Sequence, residues 1–395
     1  MIEEALSGIR VVDLSRILAG PWCTQNLADL GAEVIKIEKP GSGDDTRAWG
    51  PPFLDAVEGQ DQLSAYFMCC NRNKKSVCLD FKDPADYEAL MALIQTADVI
   101  VENYRTGTLK QYGLDYESIK ALKSSIIYIS ITGYGQDGPK SDRPGYDYIF
   151  QGQGGLMSYT GRADGEPGAG PLRAGVAVVD ITTGMYATSA VLAALFQRER
   201  TGRGAYLDIA LMDVAVAMNA NQAANYLVSG KNPLRTGNAH PNLAPYEVFN
   251  AADGYFILAV GNDSQFVRLC ELIGKSGLST DPRFSKNAGR LEHLSILRDE
   301  LKDAFLSDKR EQWGAKFHAQ GISWGRVNNL EEVFEDEQVI HRQMMLRSSH
   351  PRYGDVRLVR NPMLSDPSSR NRINLSVPTL GEHTQEVLFP LKKSK

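Results

Sequence analysis

Asp180 is the residue whose type and setting most strongly suggest chemistry in this sequence. It follows an apolar run at residues 175–179 (GVAVV), which is typical of a buried strand, and it precedes residues 186–197 (YATSAVLAALFQ), which favour a helix. A carboxylate at such a junction lies where α/β sheets usually present reactive groups. It could also be an ordinary helix cap that accepts backbone N–H bonds, and this segment alone leaves both interpretations open.

Two polar loops near predicted strands could hold an anion. Residues 16–21 (RILAGP) join a strand to a helix, and the first N–H groups of a helix can bind an anion, although an ordinary turn is the alternative. Residues 71–75 (NRNKK) carry arginine and lysine, which bind phosphate well. A solvated surface is the more common role of such a charged stretch.

Further cations and an aromatic ring stand near the ends of predicted strands. Tyr104 and Arg105 follow Asn103 at the end of one strand, where they could stack on or clamp an adenine nucleotide. Lys39 and Arg47 add positive charge near another strand end. Each is weak evidence alone, but several in one sheet suggest a site for a nucleotide-like polyanion.

The sequence lacks the common signatures of other cofactor and metal sites. No GxGxxG opens a helix after a strand and no GxxxxGK[ST] occurs, which argues against standard NAD and ATP sites. No HExxH or GxSxG occurs, and neither the histidines nor the cysteines show metal-ligand spacing, so we expect no metal site. His240, in a glycine-rich loop, is the histidine of most functional interest.

Composition limits the class of protein. The chain has 395 residues, 43% hydrophobic and 23% charged, which is the balance of a soluble globular protein with two or three domains. Its net charge of −5 argues against a general nucleic-acid binder. The start MIEEALSGIR has no signal-peptide pattern, and no uncharged apolar stretch approaches a membrane span. With an odd number of cysteines, five, we expect a cytoplasmic protein without membrane association.

Strand and helix patterns alternate through the first half of the sequence. The predicted strands comprise residues 10–14, 33–38, 76–80, 98–103, 126–132 and 205–211. Helices are predicted between them, for example over residues 20–31 and 83–95, where a proline stands near each start. This alternation predicts right-handed βαβ units and a parallel sheet, so the expected fold class is α/β.

A change of composition near residue 225 predicts a domain boundary, because a Gly/Asn/Pro-rich stretch follows. Residues 1–225 are expected to form a large domain, and residues 226–330 a smaller α+β domain with paired strands at 246–249 and 254–260. Residues 331–395 are expected to return to the large domain.

These segments together resemble the family III CoA-transferases, the group of formyl-CoA transferase and carnitine CoA-transferase. The similarity extends from residue 6 to residue 384. The motifs that carry it, in this order, are RILAGP (16–21), LGAEVIKIEKPGSGDDTR (30–47), NRNKKS (71–76), DVIVENYRTGTL (98–109), ITGYGQDGP (131–139), RPGYD (143–147), VDITTGMYA (179–187) and RTGRGAYLD (200–208). The stretches GDDTRAWGPPF, NRNKKS, ANYLVSGK and GNAHPNLAPY look most like succinyl-CoA:dicarboxylate transferases of the glutarate type.

The resemblance implies an enzyme that moves CoA from an acyl-CoA, with succinyl-CoA as the expected donor, to a free dicarboxylic acid. In the family an aspartate at the position of Asp180 is the nucleophile and carries CoA as an aspartyl thioester. CoA is then a substrate, and no other cofactor and no metal is implied. The resemblance assigns CoA binding to Ile17, Leu18, Ala19, Lys39, Arg47, Asn73, Lys75, Asn103, Tyr104, Arg105 and Tyr134.

The resemblance also assigns residues to the acceptor side of the site. These are Tyr146 and the loop residues Gly237, Asn238, Ala239 and His240. In formyl-CoA transferase the corresponding loop is a mobile run of glycines, so we expect this loop to cover Asp180. His240, or an arginine near Arg162 or Arg173, is the candidate partner of the distal carboxylate. Leu18 replaces a catalytic-site glutamine of that enzyme, which argues against a formyl-CoA and oxalate pair.

Relatives have a Rossmann-like large domain and form interlocked, ring-like homodimers, so we expect a homodimer with composite sites. Two other functions stay open. The same fold hosts α-methylacyl-CoA racemases, but Tyr146 replaces the histidine of their G-H-D motif, and an ordinary tyrosine with a pKa of about 10 is a poor base at neutral pH. A non-catalytic CoA-binding protein is the other alternative, and it would bind CoA without turnover.

Overall fold

The computed structural model describes residues 2–364 and 373–392. The strands of these residues are β1 Arg10–Asp13, β2 Glu33–Glu38, β3 Phe53–Asp55, β4 Gln62–Ser64, β5 Lys74–Cys78, β6 Val99–Glu102, β7 Ile127–Thr132, β8 Ala205–Ala210, β9 Tyr246–Ala251, β10 Gly254–Ala259, β11 Ser323–Arg326, β12 Met345–His350 and β13 Gly354–Val359.

The helices lie between and after these strands. They are α1 Ala19–Asp29, α2 Ala65–Met68, α3 Pro84–Thr96, α4 Tyr116–Leu122, α5 Asp147–Gln153, α6 Leu156–Tyr159, α7 Val178–Thr201, α8 Leu211–Met218, α9 Ala220–Ser229, α10 Asp263–Leu272, α11 Gly277–Thr280, α12 Asn287–Glu292, α13 Leu294–Phe305, α14 Arg310–Ala319, α15 Leu330–Glu335, α16 Glu337–His341 and α17 Thr384–Lys392. Short 3₁₀-helices cover Ile2–Glu4, Asp45–Ala48 and Leu109–Tyr112.

The largest sheet is parallel, as the sequence predicted. Six of the described strands form it in the order β5-β2-β1-β6-β7-β8, and every neighbouring pair is parallel. Each of the six strands ends within two residues of its predicted limits. The α/β fold class with a parallel sheet is therefore confirmed.

Helices cover both faces of this sheet, and neighbouring residues of one strand face different cores. Val11 of β1 belongs to the core that contains Leu27 of α1 and Val191 of α7. Val12 belongs to the core that contains Leu90 of α3 and Ile119 of α4. Because both faces are buried, successive residues of a strand such as β6, from Val99 to Val101, are all apolar.

The strand predicted immediately before Asp180 is wrong. The helix α7 already begins at Val178, and Asp180 lies in its first turn. The backbone N–H groups of Val179 and Asp180 both donate to the Asp147 carboxylate, at 2.7 and 3.1 Å. This distant carboxylate caps the helix, so a tertiary contact overrides the strand preference of the two valines.

Among the described residues, α7 alone is long and apolar enough to cross a membrane by length and composition, which the sequence analysis did not anticipate. In the structure it is a core helix. Val179, Ala187, Val191 and Leu195 are all buried in the core shared with α1. Length and composition alone are therefore weak evidence that this helix crosses a membrane.

The chain divides by compactness into two units. The first comprises Met1–Leu156, Arg173–Val228 and Asp336–Lys395, and the second comprises Met157–Leu172 and Ser229–Glu335. The limits at Val228 and Glu335 lie near the boundaries predicted at residues 225 and 330. The difference is Met157–Leu172, which the sequence analysis placed in the large domain.

The second unit is built on the antiparallel sheet β11-β10-β9. Its paired strands β9 and β10 confirm the strands predicted at 246–249 and 254–260. Phe256 of β10 packs edge-on against Phe305 of α13, with ring centroids 5.3 Å apart, and Phe317 of α14 packs in the same core. This core has aromatic and aliphatic side chains of its own, as a separate compact unit requires.

Candidate active site

A cleft of about 860 Å³ opens in the first unit where three parallel strands end. The residues that line it are Arg16, Ile17, Leu18, Ala19, Asn103, Tyr104, Arg105, Thr106, Ile131, Thr132, Gly133, Ser141, Arg143, Pro144, Gly145, Tyr146, Asp180 and Leu211. Most of them follow β1 or β6 or end β7. The carboxyl ends of parallel strands are the usual place for a ligand in α/β proteins.

Asp180 reaches this first cleft from the first turn of α7 and is partly exposed there. Burial and the nearby charge of Asp147 raise the pKa of Asp180 to about 7. Within the described residues no group donates a hydrogen bond to its carboxylate, which agrees with a pKa above the ordinary range. Asp180 is therefore a carboxylate of high basicity at a helix N-terminus.

Asp147, the first residue of α5, holds the start of α7 in place. Its Oδ1 accepts from the backbone of Val179 and Asp180, and Gln151 Nε2 donates to its Oδ2 at 2.5 Å. Gln151 Oε1 in turn accepts from the Ala174 N–H at 2.8 Å. The sequence analysis overlooked Asp147, although it stands in the motif Gly-Tyr-Asp that had been compared with a racemase motif.

The loop before α1 is fixed by side chains from elsewhere in the unit. Asn103 clamps Arg16 from both sides: the Arg16 N–H donates to Asn103 Oδ1 at 2.8 Å, and Asn103 Nδ2 donates to the Arg16 carbonyl at 2.7 Å. The Arg16 guanidinium donates to Asp45 at 2.8 Å and stands 5.6 Å from the centre of the Tyr104 ring. Asn103 thus shapes the cleft wall as well as lining the cleft.

A second cleft, of about 1030 Å³, lies beside the first. Its lining comprises Arg16, Lys36, Ile37, Glu38, Lys39, Ser42, Gly43, Asp44, Asp45, Leu79, Asp80, Phe81, Lys82 and Tyr104. Arg16 and Tyr104 line both clefts. The exposed Lys39 and the nearby Lys82 give this second cleft cations that could meet phosphate groups.

The structure thus brings eight of the predicted residues to the first cleft and two to the second. Those at the first cleft are Ile17, Leu18, Ala19, Asn103, Tyr104, Arg105, Tyr146 and Asp180. Those at the second cleft are Lys39 and Tyr104, which lines both clefts.

Four residues predicted to bind CoA lie outside both clefts, and each has another contact. Arg47 pairs with Glu38 at 2.6 Å, and Lys75 pairs with Glu33 at 3.0 Å and with Glu386 at 2.8 Å.

The other two are Asn73 and Tyr134. Asn73 donates to Asp29 at 2.9 Å and accepts from the backbone of Asn374 and Leu375. The Tyr134 hydroxyl donates to Gln153 at 2.8 Å. These contacts engage all four side chains, and their part in CoA binding stays a prediction.

The predicted acceptor loop belongs to the second unit. There the Gly237 N–H donates to the Gly161 carbonyl at 3.1 Å, Asn238 is exposed and Ala239 is buried. The His240 ring stacks on Tyr246 with centroids 5.0 Å apart, and its Nδ1 accepts from the Asn242 N–H. Closure of this loop over Asp180 stays a prediction.

The two arginines considered for the distal carboxylate belong to different units. Arg162 lies in the second unit and donates to the Pro167 carbonyl at 2.7 Å. Arg173 lies in the first unit, 5.5 Å from the centre of the Tyr148 ring. In residues 2–364 and 373–392, no group of histidine, cysteine or acidic side chains is arranged to hold a metal ion.

Comparison with known proteins identifies the family. The model of CoA-transferase family III matches residues 6–384. Succinate–glutarate CoA-transferase of Agrobacterium fabrum is 45% identical over 390 residues, 99% of this chain and 96% of that protein. Human succinyl-CoA:glutarate CoA-transferase is 39% identical over 385 residues, 98% of this chain and 85% of that protein.

A solved structure agrees over the same length. The crystal structure of a CAIB/BAIF family protein from Brucella suis is 44% identical and superposes with a TM-score of 0.86, covering 98% of this chain and 99% of that one. Sequence and fold thus match over nearly the whole chain. The chain belongs to CoA-transferase family III and is an enzyme of the CoA-transferase class.

Proposed function

We propose that this enzyme transfers CoA from succinyl-CoA to a second dicarboxylic acid of glutarate type, through an aspartyl-CoA thioester on Asp180. The observation that carries the proposal is the basic, partly exposed Asp180 carboxylate in a cleft at the ends of the parallel strands. The named activities of the Agrobacterium and human relatives support the donor and the acceptor class.

The proposed reaction needs no external acid, base or oxidant. An Asp180 oxygen attacks the thioester carbonyl, and CoA leaves as a thiolate, which gives a mixed anhydride. The thiolate then attacks the aspartyl carbonyl and releases succinate, leaving CoA on Asp180 as a thioester. A carboxylate of the acceptor then attacks the aspartyl thioester, which releases CoA thiolate and gives a second mixed anhydride. The thiolate attacks the acceptor carbonyl of this anhydride, so the new acyl-CoA departs and the Asp180 carboxylate is free again.

The surroundings of Asp180 suit this role. Partial desolvation and the charge of Asp147 make its carboxylate a stronger nucleophile than an ordinary aspartate, because both raise its basicity. The N–H groups of Val179 and Asp180 are already bonded to Asp147, so only the dipole of α7 is left to favour the charge that develops on the attacked carbonyl oxygen. Asp147 acts in this proposal as a positioning residue, since it holds the Asp180 backbone.

Cations around both clefts support an anionic substrate. Arg16, Arg105 and Arg143 line the first cleft, and Lys39 and Lys82 line the second. The second cleft is also lined by carboxylates, but Glu38, Asp44 and Asp45 are paired with Arg47, Lys36 and Arg16. Phosphate and carboxylate groups are the anions that arginine and lysine bind most readily. We place the phosphates of CoA at the second cleft and the thioester at the first.

The racemase alternative lacks its expected base. Tyr146 lines the first cleft in place of histidine, and no histidine is among the described residues that line it. The rest of the proposal is that the enzyme works in the cytoplasm as an interlocked homodimer, with CoA as a substrate and no further cofactor.

Intact-protein mass spectrometry tests the covalent step. The enzyme is incubated with succinyl-CoA, with and without hydroxylamine, beside Asp180→Asn and Asp213→Asn. Asp213 is the matched control because it also lies in the first turn of a helix, α8. We expect a CoA adduct, or hydroxylamine modification at residue 180, in the wild type and in Asp213→Asn but not in Asp180→Asn. Failure to trap any adduct with a range of acyl-CoAs, while CoA still binds, would contradict the proposal.

A further inference from the structure

The loop between β1 and α1 is held almost entirely by side chains. All six backbone N–H and C=O groups of residues 15–17 have a side-chain partner. The Ser15 N–H donates to Asp13 at 2.9 Å, and the Ser15 carbonyl accepts from Lys36 at 2.8 Å. Both backbone groups of Arg16 bond to Asn103. The Ile17 N–H donates to Asp44, and the Ile17 carbonyl accepts from the Cys70 thiol at 3.6 Å. Such a loop has the conformation that these side chains impose.

Ile17 has an unusual backbone within this loop. Its φ of 70° is in the left-handed region, which a β-branched residue rarely adopts and which costs free energy. Ile17 is also one of the residues that line the first cleft. Something in the surrounding structure must therefore maintain this conformation.

Asp44 is the side chain that contacts the Ile17 N–H. The N–H lies 3.2 and 3.3 Å from the two oxygens of the Asp44 carboxylate. The same carboxylate accepts from the Thr46 N–H at 3.0 Å and the Thr46 hydroxyl at 2.8 Å. These contacts leave the Asp44 side chain with no exposed surface, so its position is tightly fixed.

Lys36 keeps Asp44 charged. Its ammonium group is 2.9 Å from the Asp44 carboxylate and also donates to the Ser15 carbonyl, so one lysine ties both ends of the loop. Burial alone would raise the pKa of Asp44, but the Lys36 charge and the hydrogen bonds outweigh it and lower the pKa to about 2. An ionised acceptor forms stronger hydrogen bonds than a neutral one.

We propose that Asp44 is a positioning residue for CoA transfer, and that it acts by holding the Ile17 backbone in its left-handed conformation. Asp44 lines the second cleft and Ile17 lines the first, so the buried carboxylate at one cleft fixes the backbone conformation of a residue in the wall of the other. This inference rests on the proposed function, because it gives the wall formed by Ile17 to Ala19 a role in that reaction.

Glycine at residue 17 provides the test, because glycine adopts a positive φ without strain. The two double variants are Asp44→Asn/Ile17→Gly and Asp44→Asn/Ile17→Ala. Both remove the isoleucine side chain, but only glycine relieves the conformational cost. Their single counterparts, Ile17→Gly and Ile17→Ala, provide the reference with Asp44 in place.

We expect the kcat/KM of the glycine variant to exceed that of the alanine variant by about tenfold in the Asp44→Asn background, since that is the scale of left-handed strain. With Asp44 in place the two variants should differ by less than about threefold. Equal activities in the Asp44→Asn background would overturn the proposal. A purely structural role of Asp44 would not produce this difference between glycine and alanine.

Asp44→Asn removes the ion-pair partner of Lys36, so the same comparison is also made with Lys36→Met added. Because Lys36→Met also removes the hydrogen bond to the Ser15 carbonyl, Lys36→Met with Asp44 in place is the reference for that set. Hydrogen exchange of the Ile17 amide, read by fragment mass spectrometry without any substrate, gives an independent result. We expect faster exchange in Asp44→Asn than in the wild type, and unchanged exchange would overturn the proposal. Because this measurement needs no turnover, it distinguishes failure of the positioning role from failure of the proposed function.

Discussion

At the scale of single residues, the carboxylates of Asp147 and Asp180 have different roles at the start of α7. Asp147 accepts the backbone N–H groups of Val179 and Asp180, so the Asp180 carboxylate is left to the cleft. The negative charge of Asp147 opposes the ionisation of Asp180. The pH dependence of kcat/KM should therefore follow the ionisation of Asp180, and the charge of Asp147 should shift it to higher pH.

The pH profile of kcat/KM should therefore rise through neutral pH. The nucleophile must be ionised, and burial together with Asp147 raises the pKa of Asp180 to about 7. Below that pH we expect kcat/KM to fall about tenfold per pH unit, and above it to level off. Asp147→Asn removes the opposing charge while its amide oxygen can still cap α7, so the rising limb should move to lower pH.

The measurement is steady-state kinetics from pH 5 to pH 9 on the wild type and on Asp147→Asn. Asp213→Asn controls for a general loss of negative charge and should keep the wild-type profile. A wild-type profile that is flat between pH 5 and pH 8 would show that Asp180 has an ordinary pKa.

Lys39 and Asn73 should respond differently, although both were predicted to bind CoA. Lys39 is exposed at the second cleft, so Lys39→Ala should weaken CoA binding about threefold to tenfold and leave stability almost unchanged. Asn73 is buried, with hydrogen bonds to Asp29 and to the backbone of residues 374 and 375. Asn73→Ala should lower the free energy of unfolding by about 2–4 kcal/mol and leave CoA affinity unchanged.

Isothermal titration with CoA and urea unfolding, run on both variants, separate the two effects. Each variant serves as the other's control, because one loses a surface cation and the other a buried amide. A loss of CoA affinity in folded Asn73→Ala would support the binding role that the sequence analysis predicted and contradict the expectation stated here.

At the scale of elements, α1 and α7 approach so closely that one position tolerates only glycine. A Cβ atom on Gly184 would lie 2.7 Å from the Ala19 carbonyl oxygen and 3.0 Å from the Trp22 side chain. Ala19 lines the first cleft and Asp180 lies one turn before Gly184, so this contact fixes the distance between two walls of the site.

Gly184→Ala should therefore destabilise the enzyme by about 1–3 kcal/mol through overpacking, even though alanine is the better helix former by about 1 kcal/mol. Its kcat/KM should fall as well, because Ala19 must move. Gly277→Ala at the start of α11 is the matched control, since nothing lies within 4 Å of the added carbon. Thermal unfolding and kinetics on both variants check this, and a Gly184→Ala variant as stable as the control would contradict it.

The elements that the sequence predicted well are those whose pattern is local. β1 and β7 are rich in β-branched apolar residues and β2 alternates at period two, and both patterns identify strands without knowledge of the fold. The start of α7 has the same kind of valine run, yet it is helical because Asp147, 33 residues earlier than Asp180, caps it. A single sequence does not reveal a cap that is distant along the chain.

In the site, too, residues marked by a local pattern were predicted and residues that act through distant contacts were missed. Ile17, Asn103 and Asp180 were found because each stands directly at the end of a strand pattern or at a helix start. Asp147 and Asp44 were missed, since their importance comes from backbone groups that they contact across the fold. The resemblance to a family identified residues by position, and it could not tell that Arg47 and Lys75 are engaged in ion pairs.

At the scale of the whole molecule, one chain leaves apolar helix surface without cover. No described side chain of α9 is buried, and its apolar residues Leu227 and Val228 are 79% and 89% exposed. Phe196 of α7 is 67% exposed. A short helix gains most of its stability from packing an apolar face, so α9 requires a partner surface.

We therefore expect a homodimer in which a second copy covers α9. Sedimentation equilibrium should give about twice the chain mass of 43.5 kDa at micromolar concentration. Leu227→Glu should weaken dimerisation at least about tenfold, because it places a charge in an apolar interface, and should lower activity with it. Leu122→Glu changes another exposed leucine, 58% exposed at the end of α4, and is the control that should remain dimeric. A wild-type protein that sediments as a monomer, or a Leu227→Glu variant that dimerises as well as the control, would show that α9 is not part of the interface.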